Sequence, residues 1–343
     1  MPQCVRGSIL LAMQTRTMRA IVVREPGGPE VLELVERPLP VPGKEEIRVR
    51  VGASGLNRAD LLQRQGTYPA PPGWPADIPG LEFAGVIDAV GEGAGGKIGD
   101  RVMGIVGGGG YAKAVVLHGR QAVPIPSNLA LRDAGAVPEV FMTAWDALHR
   151  QMRLALGETV LLHSVGSGVG TAAVQLARAS GARVIGTSRT ADKLERAAEL
   201  GLDHGILVRD DSWPKQVLQL TEGRGVDVLM DLVGGPYLAG NLRVLAVGGR
   251  MVVVGTTGGP GGQIDLRVLM ARRVSMTGTV MRARSLEEKI ALARDFSAAV
   301  VPLFERGVLR PVVDRFYRPE EIREAHERLA ANDTFGKLVI AWE

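Results

Sequence analysis

Thr159-Val160-Leu161-Leu162-His163 runs within three residues into Gly166-Ser167-Gly168-Val169-Gly170, and the segment that follows places Val169, Ala173 and Leu176 at i, i+4 and i+7. The first run is short, apolar and β-prone, which reads as one buried strand. The last spacing puts one apolar face on a helix. Between them lies a glycine-dense turn. Glycines there let the backbone approach a diphosphate closely, and the helix start offers unpaired N–H groups and the positive end of its dipole. The spacing departs from G-x-G-x-x-G, so what marks the turn as a dinucleotide cradle is the strand before it and the amphipathic helix after it.

The same alternation continues downstream. Arg183-Val184-Ile185-Gly186-Thr187-Ser188 is a second strand, leading to a helix that Thr190 can cap and Gly201 can end. Further buried strands are expected at residues 226–231, 250–255 and 274–279. Repeated βα units pack as a doubly wound parallel sheet, so the fold class is α/β. Upstream, from Met18 to about Pro138, short strands such as 46–51 and 83–90 alternate with turns, and Gly107 to Gly110 reads as a turn before a strand starting at Tyr111. Helices are expected over Ser285–Phe304 and Pro319–Ala331, then a closing strand, Lys337-Leu338-Val339-Ile340, that returns to the first domain. The division is residues 140–282 for the βα domain, 18–139 with 283–343 for the β-rich domain, and 1–17 as an N-terminal extension, read as a disordered tail.

A chain of 343 residues has room for two such units. A formal charge of +4 without a dense basic block gives no reason to expect nucleic acid. No apolar run approaches the roughly 20 residues that span a bilayer. With Cys4 as the single cysteine there is neither an internal disulfide nor a cysteine-built metal site, which fits a reducing cytoplasm. Arg6, Arg16 and the patch Ile9 to Met13 match a targeting leader only weakly, and an upstream start or tail is the better reading.

The end of the second strand decides between dinucleotides. An NAD site places Asp or Glu there for the ribose hydroxyls, whereas a 2′-phosphate needs donors and positive charge. Here stand Ser188, Arg189 and, one turn on, Lys193, with no carboxylate at the strand's end. NADPH is therefore the expected cofactor, and each basic contact, at about 1.5–3 kcal/mol, favours it by roughly tenfold or more. His118, His149, His163, His204 and His326 are scattered through unrelated segments, and none pairs with a cysteine as zinc would require. Gly91 to Lys97 imitates a phosphate-binding loop, but Ile98 replaces the hydroxyl that holds Mg²⁺. Val165 removes the first glycine of a nucleophile elbow around Ser167.

Specific stretches carry a resemblance. Residues 57–68, Asn57-Arg58-Ala59-Asp60-Leu61-Leu62-Gln63-Arg64-Gln65-Gly66-Thr67-Tyr68, together with Pro79-Gly80-Leu81-Glu82, the run Ser167 to Leu176, Arg282-Ala283-Arg284-Ser285 and Phe335-Gly336-Lys337, are similar to the medium-chain dehydrogenase/reductase superfamily. Within it they resemble the zinc-free, zeta-crystallin-like quinone oxidoreductases of the tumour-suppressor-inducible branch, and the likeness runs from Met18 to Trp342. The resemblance implies a GroES-like catalytic domain, a Rossmann cofactor domain and a homodimer joined through the cofactor domains' sheets. Leu81 stands where zinc-containing relatives have a His, and the Gly55-Leu56-Asn57 region lacks their cysteine, which implies no metal.

Carried over position by position, the resemblance puts Asn57 and Tyr68 in the nicotinamide and substrate cleft, Thr143 as a nicotinamide-side hydroxyl, and Ser188, Arg189 and Lys193 at the 2′-phosphate. Gly255, Thr256 and the Thr279 to Met281 stretch would flank the nicotinamide. Val208 stands where many relatives have a tyrosine near the adenosine phosphate, which weakens the carry-over of full NADPH affinity. The activity implied is hydride transfer from NADPH to a quinone or other conjugated acceptor without flavin or metal, with Tyr68 and Asn57 steadying the oxyanion. Reduction of an enoyl thioester or alkenal is the enzymatic alternative, and a non-catalytic NADPH-binding protein the alternative of another class.

Overall fold

The computed structural model of the chain describes residues 16–342. Cys4 and nearly all of the N-terminal extension lie outside the described residues. In chain order the first part holds β1 (Thr17–Val23), β2 (Leu32–Pro38), β3 (Glu46–Gly55), α1 (Arg58–Arg64), β4 (Glu82–Val90), β5 (Arg101–Ile105), β6 (Ala114–His118) and β7 (Val123–Pro124), followed by α2 (Leu131–Ala134) and α3 (Pro138–Trp145). The alternation read from the sequence is visible in β3, where Ile47, Val49 and Val51 are fully buried while Arg48 and Arg50 point the other way.

The middle part alternates β8 (Thr159–Leu162), α4 (Gly168–Ala179), β9 (Arg183–Ser188), α5 (Ala191–Ala198), β10 (His204–Leu207), α6 (Trp213–Leu220), β11 (Val226–Asp231), α7 (Leu238–Val244), β12 (Leu245–Val253), α8 (Leu266–Arg272) and β13 (Ser275–Gly278). These strands form one sheet in the order β10-β9-β8-β11-β12-β13, every pairing parallel. The order reverses between β8 and β11, and the crevice outside the carboxyl ends of those strands is where this architecture binds ligands.

The tail comprises α9 (Leu286–Ala299), α10 (Val301–Glu305), β14 (Val313–Tyr317), α11 (Ile322–Ala330) and β15 (Lys337–Ala341). As expected it returns: β15 lies antiparallel on β3, giving a second sheet in the order β14-β15-β3-β4-β5-β7 with β6 also on β3. The loop before β15 touches the glycine turn, where the Gly336 N–H donates to Gly166 O at 2.9 Å. That contact sets the two sheets on either side of one cleft.

Three expectations need correction. Tyr111 does not open a strand, because its N–H donates to Pro79 O and its carbonyl accepts from Ile21, so the paired strand starts only at Ala114. The helix expected over Ser285–Phe304 is two helices, since Pro302 removes an N–H from the ladder and Val300 turns at φ −107° between them. Thr190 occupies the N-cap of α5, but its side chain makes no capping bond.

Candidate active site

The glycine turn forms the floor of the cleft. Ser167 caps α4, its Oγ accepting the Gly170 N–H at 3.0 Å, while the Thr171 N–H donates to the Ser167 carbonyl at 2.8 Å. The Gly168 and Val169 amides in the first turn have no intrahelical acceptor, and both residues line the cleft. A Cβ on Gly168 would come within 2.7 Å of the Lys337 stem and 2.9 Å of Val140, and one on Gly170 within 2.2 Å of Ser164 O. Gly168 thus keeps the cradle open. Gly170 allows α4 to sit against the turn below it.

Beyond the cradle the cleft, about 530 Å³, is lined by Ser188, Arg189, Thr190 and Lys193 on one wall and by Arg58, Leu329 and Asn332 on the other. Lys193 Nζ donates to Asn332 O at 2.8 Å, and Arg58 donates to Leu329 O at 3.3 Å and to the Asn332 side chain. Burial, and then the charge of Arg189, lower the Arg58 pKa from its ordinary value. Among the described residues none of Arg58, Arg189 and Lys193 has a carboxylate partner within salt-bridge distance. The result is a pocket of uncompensated positive charge on neutral acceptors, suited to a phosphate group. Tyr237 faces the same space, its ring tilted against Trp213 at 5.2 Å and edge-on to His163 at 4.8 Å. Val208, half-buried, packs on the core beneath.

A buried chain of hydrogen bonds braces this wall. Asn241 Nδ2 donates to Asp231 Oδ2 at 2.9 Å, so Asn241 Oδ1 accepts from His163 Nε2 at 2.8 Å, which leaves His163 Nδ1 to accept from Thr187 Oγ1 at 2.8 Å. Asp231 Oδ1 in turn takes the Val233 and Gly234 N–H groups, at 2.7 and 3.0 Å. The strand end carrying Ser188 and the loop carrying Tyr237 are therefore fixed relative to each other. Burial lowers the His163 pKa, consistent with the neutral ring this chain needs.

At the other end of the cleft, α1 and α3 meet the two sheets. Lys337 Nζ, almost fully buried, donates to Leu56 O at 2.5 Å and Asn57 Oδ1 at 2.6 Å and pairs with Glu82 Oε1 at 2.7 Å. Asn57 Nδ2 also donates to Glu82 Oε1, at 2.8 Å, and Glu82 Oε2 accepts the Glu139 N–H at 2.8 Å. Asp60 accepts from the Asn57 N–H at 2.7 Å and the Tyr111 hydroxyl at 2.9 Å, and burial raises its pKa to about 6. Two oxygens here are sealed from solvent without a partner among the described residues: Glu139 Oε2 and, one turn on in α3, Thr143 Oγ1. Burial first, and then the charge of Glu82, push the Glu139 pKa up to about 8.

Of the residues singled out from sequence, Asn57, Gly166, Ser167, Gly168, Val169, Ser188, Arg189 and Lys193 line one cleft. Gly255 and Thr256 begin the loop whose next two residues, Thr257 and Gly258, line it. Asn57 is held by Glu82 and Lys337, which makes it a positioning residue. Tyr68 stands to the side, its ring under the Arg282 guanidinium at 5.0 Å, while Arg282 donates to Tyr68 O, Gly107 O and Gln63 Oε1. Thr279 Oγ1 accepts from Arg284 at 2.6 Å, and Met281 is buried in the main core, so neither lines the cleft. Sequence reading missed Arg58, Tyr237, Asn332, Glu82, Glu139 and Lys337 as site residues. Arg58, Glu82 and Lys337 lay inside the signature stretches, but nothing local ties the others to the glycine turn.

A metal does not fit here. Among the described residues no three His, Cys, Asp or Glu side chains gather as ligands would, and the ammonium of Lys337 sits on the buried carboxylate of Glu82.

Residues 43–127 match the alcohol dehydrogenase GroES-like domain and residues 168–299 the zinc-binding dehydrogenase family. Over 334 residues the chain is 34% identical to the quinone oxidoreductase of Lama guanicoe, covering 96% of this chain and 99% of that one. The chain belongs to the medium-chain dehydrogenase/reductase family. Among solved structures of similar proteins, an NAD-dependent alcohol dehydrogenase is 35% identical with a TM-score of 0.85, covering 95% of this chain and all of that one. A mycobacterial protein complexed with NADPH is 29% identical with a TM-score of 0.84, covering 95% and 100%. As a family member the chain is a nicotinamide-dinucleotide oxidoreductase, with the GroES-like and Rossmann sheets on either side of the site.

Proposed function

We propose that this chain is an NADPH-dependent reductase of quinones or similar conjugated carbonyl compounds, working without zinc or flavin, cytoplasmic and homodimeric, with domain boundaries at residues 139/140 and 282/283. The observation that carries the reading is the cation pocket of Arg58, Arg189 and Lys193, free of carboxylate partners among the described residues and set beyond the glycine cradle. The cradle would take the diphosphate, Ser188, Arg189, Lys193 and Arg58 the 2′-phosphate, and Tyr237 would wall the adenosine side. The Thr143 hydroxyl, unpartnered and buried, suits the nicotinamide end. The bound dinucleotide supplies the hydride.

The chain's own residues position the acceptor and keep water out. Burial raises the Tyr68 pKa above its ordinary value, so its hydroxyl stays protonated and can donate to an acceptor oxygen. Lys337 and Asn57 serve by holding Glu82 and the start of α1 in place. The test is turnover of a panel of quinones, enones and crotonyl-CoA with NADPH, followed by loss of the reduced cofactor's absorbance. The highest kcat/KM is expected on a quinone. A higher value on crotonyl-CoA moves the assignment to an enoyl-thioester reductase, and cofactor binding without turnover on any acceptor removes the enzymatic reading.

A further inference from the structure

A carbonyl acceptor that has taken up a hydride carries its charge on oxygen and needs a proton. Most polar groups around the catalytic end of the cleft are already committed. Lys337 has three acceptors, Glu82 holds Lys337, Asn57 and the Glu139 N–H, and Asp60 is held by Asn57, Gly80 and Tyr111. Arg282 spends its donors on Gly107, Tyr68 and Gln63, and Lys289 donates to Arg282 O. Glu139 differs. Its Oε2 is sealed and unpartnered, and on the same face of α3 the Thr143 hydroxyl is in the same state. A buried polar atom left without a partner costs about 1–3 kcal/mol, and these two stand one helical turn apart on α3, the helix whose Val140 lines the cleft.

We propose that Glu139 is the proton donor to the reduced acceptor. The inference rests on the reading of the site as a carbonyl or quinone reductase. As hydride adds, the acceptor's π bond breaks and its electron pair moves to oxygen. The Glu139 O–H bond then breaks, a new O–H bond forms on the acceptor, and the carboxylate left behind regains a proton from solvent. Together the hydride and that proton amount to two electrons and two hydrogens, the balance of a carbonyl-to-alcohol or quinone-to-hydroquinone reduction.

The groups around Glu139 favour this role. Burial first, and then Glu82 on β4 and Asp60 on α1, keep its proton on, while Lys337 on β15 and Arg282, preceding α9, moderate the effect, leaving a pKa of about 8 that allows both donation and recovery near neutrality. Lys289 on α9 and the Tyr68 hydroxyl complete the charged and titratable surroundings. Tyr68 is the weaker acid, since burial moves it further above its ordinary pKa of 10.0.

The experiment compares the parent with Glu139→Gln and Glu139→Asp. In the dinucleotide-free parent at pH 7, infrared difference spectroscopy should show a protonated-carboxyl C=O band that titrates away near pH 8 and is missing from Glu139→Gln. In turnover, Glu139→Gln should lose at least tenfold in kcat and lose the alkaline limb of the pH profile. Its KM for NADPH should stay unchanged, which also reports an intact fold, and Glu139→Asp should recover part of the rate. A band untouched by the substitution, or a Gln variant with parental kcat and pH profile, overturns the proposal. If the parent turns over no acceptor, the reductase reading fails and this role fails with it, and a band still present at Glu139 distinguishes that outcome from a carboxyl that was ionised all along.

Discussion

His326 and Lys337 are buried to nearly the same degree and are treated in opposite ways. Lys337 keeps a full ion pair with Glu82 and two further oxygen partners, Leu56 O and Asn57 Oδ1, which offsets much of the cost of desolvating a charge. His326 has the Arg64 guanidinium 3.4 Å from Nδ1 and no partner for Nε2 among the described residues. Burial, with Arg64 adding to it, drives its pKa from 6.5 down to about 3. The unfolded chain therefore binds a proton at His326 that the folded chain refuses, and this contribution to stability, complete above pH 6.5, is lost as pH falls toward 3. His326→Gln should flatten that acid limb. Thermal unfolding measured from pH 7 to pH 4 is expected to show a larger fall in Tm for the parent than for the variant, and equal falls would assign the acid sensitivity elsewhere.

At the scale of elements, β13 ends the parallel sheet with an unpaired edge, and apolar side chains cluster on and beside it: Met276 on the strand, Val280 just after it, and Leu266 and Met270 on α8. An exposed edge flanked by apolar surface tends to pair with another chain, and the homodimer proposed above would use it. Met270→Glu with Met276→Lys should convert a dimer into a monomer by sedimentation velocity while leaving the fold's circular dichroism intact. An unchanged mass would place any dimer on another surface. The elements themselves were largely readable from periodicity, because strands such as 183–188 and 226–231 are short, apolar runs whose burial dictates their pattern. What periodicity could not register was punctuation set by distant partners. Tyr111 looks like a strand residue but spends its backbone on Pro79 and Ile21, and its hydroxyl on Asp60. The apolar spacing of 285–304 gives no hint that Pro302 divides it.

For the whole molecule, the cleft exists because the tail crosses back over the glycine turn and seats β15 against β3. That return was legible in outline from Lys337-Leu338-Val339-Ile340, and the cradle and the wall at Ser188, Arg189 and Lys193 were legible from a single strand-turn-helix-strand stretch. The opposite wall was not, since Arg58, Asn332 and Tyr237 reach the cleft from three segments that only the tertiary fold brings near. Nor does sequence reveal which donors are already spent: Asn57 looks like a free amide until Glu82 and Lys337 are seen to hold it. The central claim is that the pocket between these walls binds the phosphate on the adenosine ribose. It is tested most directly by dissociation constants for NADPH and NADH in the parent and in Arg189→Ala/Lys193→Ala, measured by calorimetry. NADPH should bind the parent at least about tenfold more tightly than NADH, and the double variant should lose that preference with NADH affinity unchanged. Equal affinity for the two cofactors in the parent, or a preference that survives the substitutions, would contradict the account.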